Sequence, residues 1–176
     1  MATECLKSLE KSAYKTVVVY NQGCISQGSL KAFLEKFDLD AHIIGEGKNV
    51  GTTVGRQSCF AYIWEHFPDT EYISEIHLDM IFAPRWEEPL IRYLDTHEEP
   101  LIGCGIVDQQ GRLPFLNKTA ALPASHSEYD DFLLSLRQDS VLDGFSNPCI
   151  HVSKILKQTG GYNAEFGRAT GGWVNA

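Results

Sequence analysis

The sequence predicts an α/β fold with a mainly parallel central sheet, and three observations carry that expectation. Segments with strand character alternate with segments of helical periodicity along most of the chain, the pattern of βα units. Thr16-Val17-Val18-Val19-Tyr20 is an unbroken β-rich run of the kind found in a strand covered on both faces. Glycine-bearing breaks close the first two predicted strands, at Asn21-Gln22-Gly23 and at Gly45-Glu46-Gly47. Sheets of this type bind ligands at the carboxyl ends of their strands, where the strand order switches. Residues 21–23, 45–51 and 77–79 are therefore where chemistry is expected.

Taken in order, residues 2–12 place Cys5, Leu6 and Leu9 on one helical stripe. After the strand at 16–20, Leu30, Phe33, Leu34 and Phe37 have the spacing of an amphipathic helix over 29–37. A short strand is predicted at 41–44. A helix follows over 52–67, with Phe60, Ile63, Trp64 and Phe67 as its core stripe and Pro68 as its stop. Residues 71–78 read as a strand finishing at His77-Leu78-Asp79, 86–96 as a helix and 101–107 as a glycine-bearing strand. Asp108-Gln109-Gln110-Gly111 reads as a turn into irregular chain through residue 125. A helix over 128–137, a strand over 144–150 and a helix over 152–158 complete the pattern, ahead of a glycine-rich, aromatic tail. No internal repeat or linker interrupts it, so residues 1–176 are expected to form a single domain.

Composition narrows the function classes. The chain has 176 residues, 43% of them hydrophobic, which suffices for one core and excludes a disordered chain. Fifteen basic against 23 acidic residues give a formal charge of -8, without the basic footprint that duplex nucleic acid requires. No apolar stretch approaches the ~20 residues of a membrane helix, and residues 1–12 have no signal-peptide-like apolar run. Cys5, Cys24, Cys59, Cys104 and Cys149 are isolated and lack CxxC spacing. That suits reduced thiols in a cytoplasmic protein and gives no zinc-cluster signature. Neither a phosphate-loop pattern nor a nucleophile elbow is present, and Gly103-x-Gly105 lacks the third glycine of a dinucleotide fingerprint. Glu87-Glu88 and Glu98-Glu99 read as solvated charges.

The most informative stretch is Lys48-Asn49-Val50-Gly51, with Arg56 shortly after it. It is followed by His77-Leu78-Asp79, by Pro84-Arg85-Trp86, and late in the chain by Gly160-Gly161-Tyr162-Asn163-Ala164-Glu165-Phe166. In order and spacing this succession resembles the family 2 glycosyltransferases of GT-A fold over nearly the whole chain. That family carries an N-x-G segment before a helix, a D-x-D at a strand end, then a proline and an aromatic opening a helix, and later a GG-[FY] segment with an acidic residue.

The resemblance implies a three-layer GT-A sandwich. It also implies an inverting transfer of a sugar from a nucleotide-diphosphate donor to the hydroxyl of a glycan, lipid or protein acceptor, assisted by Mn2+ or Mg2+. Asp79 is then the metal ligand, with His151 as a further ligand or a structural histidine. Nucleotide contacts come from Asn21, which stands where the family has a base-contacting Asp, and from Lys48, Asn49, Arg56 and His77. Lys48 and Arg56 suit phosphate oxygens. His77 stands for the first Asp of D-x-D and either ligates metal, contacts ribose or does neither. Glu165 is the one candidate for the catalytic base, or else part of a loop over the acceptor.

Relative to the family, the chain begins at the first helix without the preceding strand, and residues 167–176 contain no carboxylate. An unpaired central strand would invite a homodimer. These departures define an alternative, a catalytically inactive GT-A-like module for carbohydrate binding or protein interaction. An unrelated flavodoxin-like binding domain is a third reading.

Overall fold

The computed structural model describes residues 1–138, 140–142, 144 and 147–163. The elements are α1 (Ala2–Leu9), β1 (Thr16–Tyr20), α2 (Gln27–Leu34), β2 (Asp40–Ile44), α3 (Thr52–His66), β3 (Tyr72–Glu75), α4 (Glu88–Leu94), β4 (Leu101–Gly103), β5 (Arg112–Leu113), β6 (Lys118–Thr119), α5 (Tyr129–Ser135), β7 (Cys149–Val152) and α6 (Ser153–Thr159). The protein is therefore mixed α/β, as expected. The single domain expected over 1–176 divides into two compact units. One comprises Met1–Ala13 with Tyr72–Val152, the other Tyr14–Glu71 with Ser153–Ala176. Among the described residues no strand belongs to the sheets of both units.

The second unit holds the parallel pair. β1 and β2 run side by side from Thr16↔Asp40 to Tyr20↔Ile44, and Asn21 N extends the ladder to Ile44 O at 2.8 Å. The Thr16–Tyr20 run is half-buried rather than covered on both faces; among the described residues β1 has one strand neighbour, β2, and α3 packs on it. α2 starts earlier than its apolar spacing predicts, since the Ser26 side chain accepts the Ser29 N–H and caps it. Of its apolar stripe only Leu34 is buried. On α3, Phe60 is the buried member of the expected stripe, while Ile63 and Trp64 are intermediate. Pro68 stops α3 as predicted.

In the first unit the expected mainly parallel sheet is not what forms. β7 lies between β3 and β4 and is antiparallel to both, with register partners Glu75↔Cys149 and Gly103↔Cys149. β3 and β4 are joined through α4 and point the same way, which is the parallel crossover the alternation anticipated. The longer return through the β5–β6 pair, a 3-10 turn at His126–Glu128 and α5 then brings β7 back in the opposite sense. Thus among the described residues the parallel pairing is confined to β1 and β2.

β3 ends at Glu75, short of the predicted 71–78. Its partner positions are exhausted there, because the residue before Cys149 is Pro148, which has no N–H to continue the ladder. β7 spans Cys149–Val152, overlapping the expected strand over 144–150 at residues 149 and 150; residues 145 and 146 lie outside the described residues. Cys5, Leu6 and Leu9 of α1 are buried with Ile73, Phe82, Trp86, Leu94 and Ile150. α1 is tied down by the Ser8 hydroxyl, which accepts the Phe82 N–H at 3.0 Å. Glu87, expected to be solvated, is instead buried, and its carboxylate accepts the Ala13 N–H.

Candidate functional site

Four of the sequence-predicted residues, Asn21, Lys48, Asn49 and Arg56, fall in the second unit on the loops at the carboxyl ends of β1 and β2 and on the start of α3. Asn49 Oδ1 accepts the Gly51 N–H at 2.9 Å, closing a turn that Gly51 completes at φ 83°. The N-x-G spacing thus has a local cause: the Asn side chain folds back onto the backbone two residues on, and the glycine takes the left-handed conformation that starts α3. No side chain caps α3 at that end, so its first N–H groups carry the positive end of the helix dipole. Lys48 is exposed beside it.

Asn21 directly follows β1, at the strand end where the resemblance puts it. It is only 3% exposed; its Oδ1 accepts the Gly23 N–H at 2.9 Å and its Nδ2 donates to Gln27 Oε1 at 3.0 Å. The amide holds the loop between β1 and α2, leaving one lone pair and one hydrogen for any ligand. Arg56 is half-buried; its guanidinium lies 5.8 Å from the centroid of the Tyr162 ring, and Nη1 donates to the Tyr162 hydroxyl at 3.4 Å. The opposite edge of the stack is Phe60, nearly parallel to Tyr162 with centroids 5.8 Å apart.

Two residues that sequence reasoning missed hold these pieces together. Gln22 accepts the Val50 N–H at 2.9 Å and donates to Gly51 O at 3.0 Å, joining the β1 loop to the β2 loop. Gln57 accepts the Tyr162 N–H at 2.7 Å and donates to Gly160 O at 3.1 Å, docking the Gly160-Gly161-Tyr162 turn on α3. Both are amides bridging a backbone donor and a backbone acceptor. The Gly-rich segments beside them were the available signal.

His77, Asp79 and His151 belong to the first unit. His77 and Asp79 follow the end of β3, so the alternation that would place them on one face does not extend to them. Asp79 is exposed in a turn and His77 is half-buried, its carbonyl oxygen accepting from Cys5 Sγ at 3.5 Å. Burial, with a further contribution from the Asp79 charge, pushes the Cys5 thiol up to about 11. Asp79 offers a single hard oxygen ligand. That fits Mn2+ or Mg2+ held mainly by substrate phosphates and water, and does not make an all-protein cage.

His151 points elsewhere. In the antiparallel register Ile73, Glu75, Cys149 and His151 share one face of the sheet. His151 Nε2 lies 2.7 Å from Glu75 Oε1 and 3.3 Å from Cys149 Sγ, and that sulfur lies 3.9 Å from the same carboxylate oxygen. All three residues are buried, with exposures of 7% for Glu75, 0% for Cys149 and 8% for His151. This is the one group of three His, Cys, Asp or Glu side chains among the described residues whose ligand atoms are close enough to share a metal ion. Sequence reasoning named His151 but neither Glu75 nor Cys149. Glu165, the candidate base, lies outside the described residues.

Comparison of the chain with protein-family models, with curated proteins and with solved structures gave no match in any of the three. Among the described residues no helix is long and apolar enough to cross a membrane.

Proposed function

We propose that the chain is a GT-A-type glycosyltransferase domain that takes a nucleotide-diphosphate sugar and transfers the sugar, with inversion, to an acceptor hydroxyl. The observation that supports this most is the second unit's loop edge. There the carboxyl ends of a parallel strand pair, an uncapped helix N-terminus, Lys48 and Arg56 are gathered by the Gln22 and Gln57 amides. Such an edge provides backbone N–H groups and two cations for a diphosphate, whose charge grows as the glycosidic bond breaks. Asn21 keeps the β1 loop in place and offers its remaining amide sites to the base. Asp79, in the first unit, is the residue that the resemblance implies for a divalent cation, which when bound would supply Lewis-acid chemistry.

Titration of the full chain by calorimetry with UDP-, GDP- and dTDP-hexoses, with and without MnCl2, tests the reading. We expect manganese-dependent binding of at least one donor, weakened about tenfold or more by Lys48→Ala, an effect of about 1.4 kcal/mol. Absence of binding by every donor overturns it.

Asn21 favours a second reading, the catalytically inactive carbohydrate-binding or protein-interaction module, because its amide is already engaged by Gly23 and Gln27. Glycan binding that is indifferent to nucleotide and manganese would select that reading.

A further inference from the structure

We propose that Glu75, Cys149 and His151 form a binding site for a zinc-class transition-metal ion that clasps β3 to β7. The site is separate from the Asp79 carboxylate and does not depend on the chain being a transferase. Three features point to it. The first is the donor set: a thiolate sulfur, an imidazole nitrogen and a carboxylate oxygen are the three protein ligand types of zinc, and the sulfur is too soft for Mg2+ or Mn2+.

The second is convergence on one atom. Glu75 Oε1 and Cys149 Sγ both approach Nε2 of His151, at 2.7 and 3.3 Å. A catalytic Cys-His-acid array needs the thiol on one ring nitrogen and the acid on the other, and a thiol that is 0% exposed offers no route for a substrate. The Cys149 sulfur also lies 3.9 Å from Glu75 Oε1 and 3.7 Å from Asn147 Oδ1. A cation among these atoms would be met at once by the carboxylate oxygen, by the Nε2 lone pair of the Nδ1–H tautomer of His151 and by the thiolate. Binding releases the thiol proton to solvent.

The third is spacing and room. Bond lengths of about 2.3 Å to sulfur and about 2.0–2.2 Å to nitrogen and oxygen place tetrahedral donors roughly 3.4–3.6 Å apart. The Sγ–Nε2 and Sγ–Oε1 separations of 3.3 and 3.9 Å bracket that range, and the hydrogen-bonded 2.7 Å contact has only to open. On the other side of β7, the residue paired with Cys149 is Gly103, which puts no side chain beside the sulfur. Asn147 Oδ1 is a candidate for the fourth position.

The test starts with the wild-type chain, purified without chelator, for which elemental analysis is expected to find about one zinc per chain. After stripping, CoCl2 is expected to produce a thiolate-to-cobalt charge-transfer band with the intense visible bands of four-coordinate cobalt, and ZnCl2 to quench them and raise Tm. Cys149→Ser should lose the charge-transfer band, and Glu75→Gln should keep it with affinity lowered about tenfold. Asp79→Asn should leave the spectrum unchanged. A folded wild type without the band or the zinc-dependent Tm shift overturns the proposal, as does a band that survives in Cys149→Ser. Should Cys149→Ser fail to fold, the wild-type cobalt spectrum and zinc-dependent Tm decide. Failure of every nucleotide sugar to bind would leave these readouts untouched, so the two proposals fail separately.

Discussion

The loop edge of the second unit and the buried cluster of the first both gather chemistry-bearing side chains, but by opposite means. At the loop edge, backbone turns do the gathering: Asn49 and Asn21 fold onto their own loops, Gln22 and Gln57 bridge backbone groups, and the charges of Lys48 and Arg56 remain within reach of solvent or at half-burial. In the cluster, strand register does the gathering, and three ionisable groups face one another across paired strands, shielded from water. The fold around a site of the first kind tolerates loss of any one charge, whatever that does to binding, and suffers when a turn is disturbed. A site of the second kind behaves in the reverse way, because a buried group left without its partner is costly whatever the backbone does.

Alkaline titration should separate the two units without any substitution. Burial pushes the thiols of Cys5 and Cys104 in the first unit, and of Cys59 in the second, from an ordinary 9.0 up to about 11. Since the folded state favours the protonated thiol, each contribution to stability is complete below pH 9 and is lost as the pH rises through about 11, on the order of 2 kcal/mol per thiol. Two of the three lie in the first unit. Amide exchange at pH 10 should therefore accelerate more in β3 and β7 than in β1 and β2; the opposite order would break the contrast.

Substitution within the cluster comes next. His151→Ala removes the 2.7 Å hydrogen-bond partner of a buried carboxylate oxygen and should cost about 3–5 kcal/mol in urea unfolding, whereas Glu75→Gln, which keeps an acceptor oxygen, should cost about 1 kcal/mol. Equal small effects would mean that the cluster is solvated and that the burial argument is wrong.

These two regions were unequally legible in the sequence, for a physical reason. Asn49, Gly51, Lys48 and Arg56 lie within nine residues, so a short-range pattern carries them, and the strand-loop-helix setting needed to interpret it was also local. Glu75 and Cys149 are 74 residues apart, and Glu75 and His151 are 76 apart. Their meeting depends on β7 reversing direction between β3 and β4, which no spacing rule reports. The alternation that correctly gave an α/β fold misassigned this strand, because a run of apolar residues does not encode the direction in which it pairs. Glu87 was misread for a similar reason: its buried acceptor role exists only because Ala13 N comes to it from 74 residues away.

Returning to the loop edge, Gly23→Ala should have an effect of about 1–3 kcal/mol, smaller than that of His151→Ala. Gly23 sits at φ 88°, where an L side chain is strained, and its added methyl would press on the Gly47 carbonyl oxygen, a backbone atom with no side-chain freedom to yield. The two loops would separate, so the donor-binding signal expected of this edge should fall more than the unfolding free energy suggests. A Gly23→Ala protein with unchanged Tm and unchanged donor binding would show that the close approach of the two loops is unimportant.

The smallest expected effect also separates positioning from stability most cleanly. Gln57→Ala removes two hydrogen bonds to the Gly160-Gly161-Tyr162 turn, but that turn is near the surface and water can replace what is lost, so the cost should be about 1 kcal/mol or less. Its effect on the site should be disproportionate. Without Gln57, the Tyr162 ring keeps its stack on Phe60 and its hydrogen bond from Arg56 but loses the anchor of its backbone, so the Arg56 guanidinium should sample more rotamers before meeting the proposed diphosphate. Donor affinity should fall several-fold while Tm moves by only a few degrees, and Gln57→Glu should recover the Tyr162 N–H contact but not the one to Gly160 O. A Gln57→Ala protein that loses Tm and affinity in proportion would place Gln57 among ordinary structural residues.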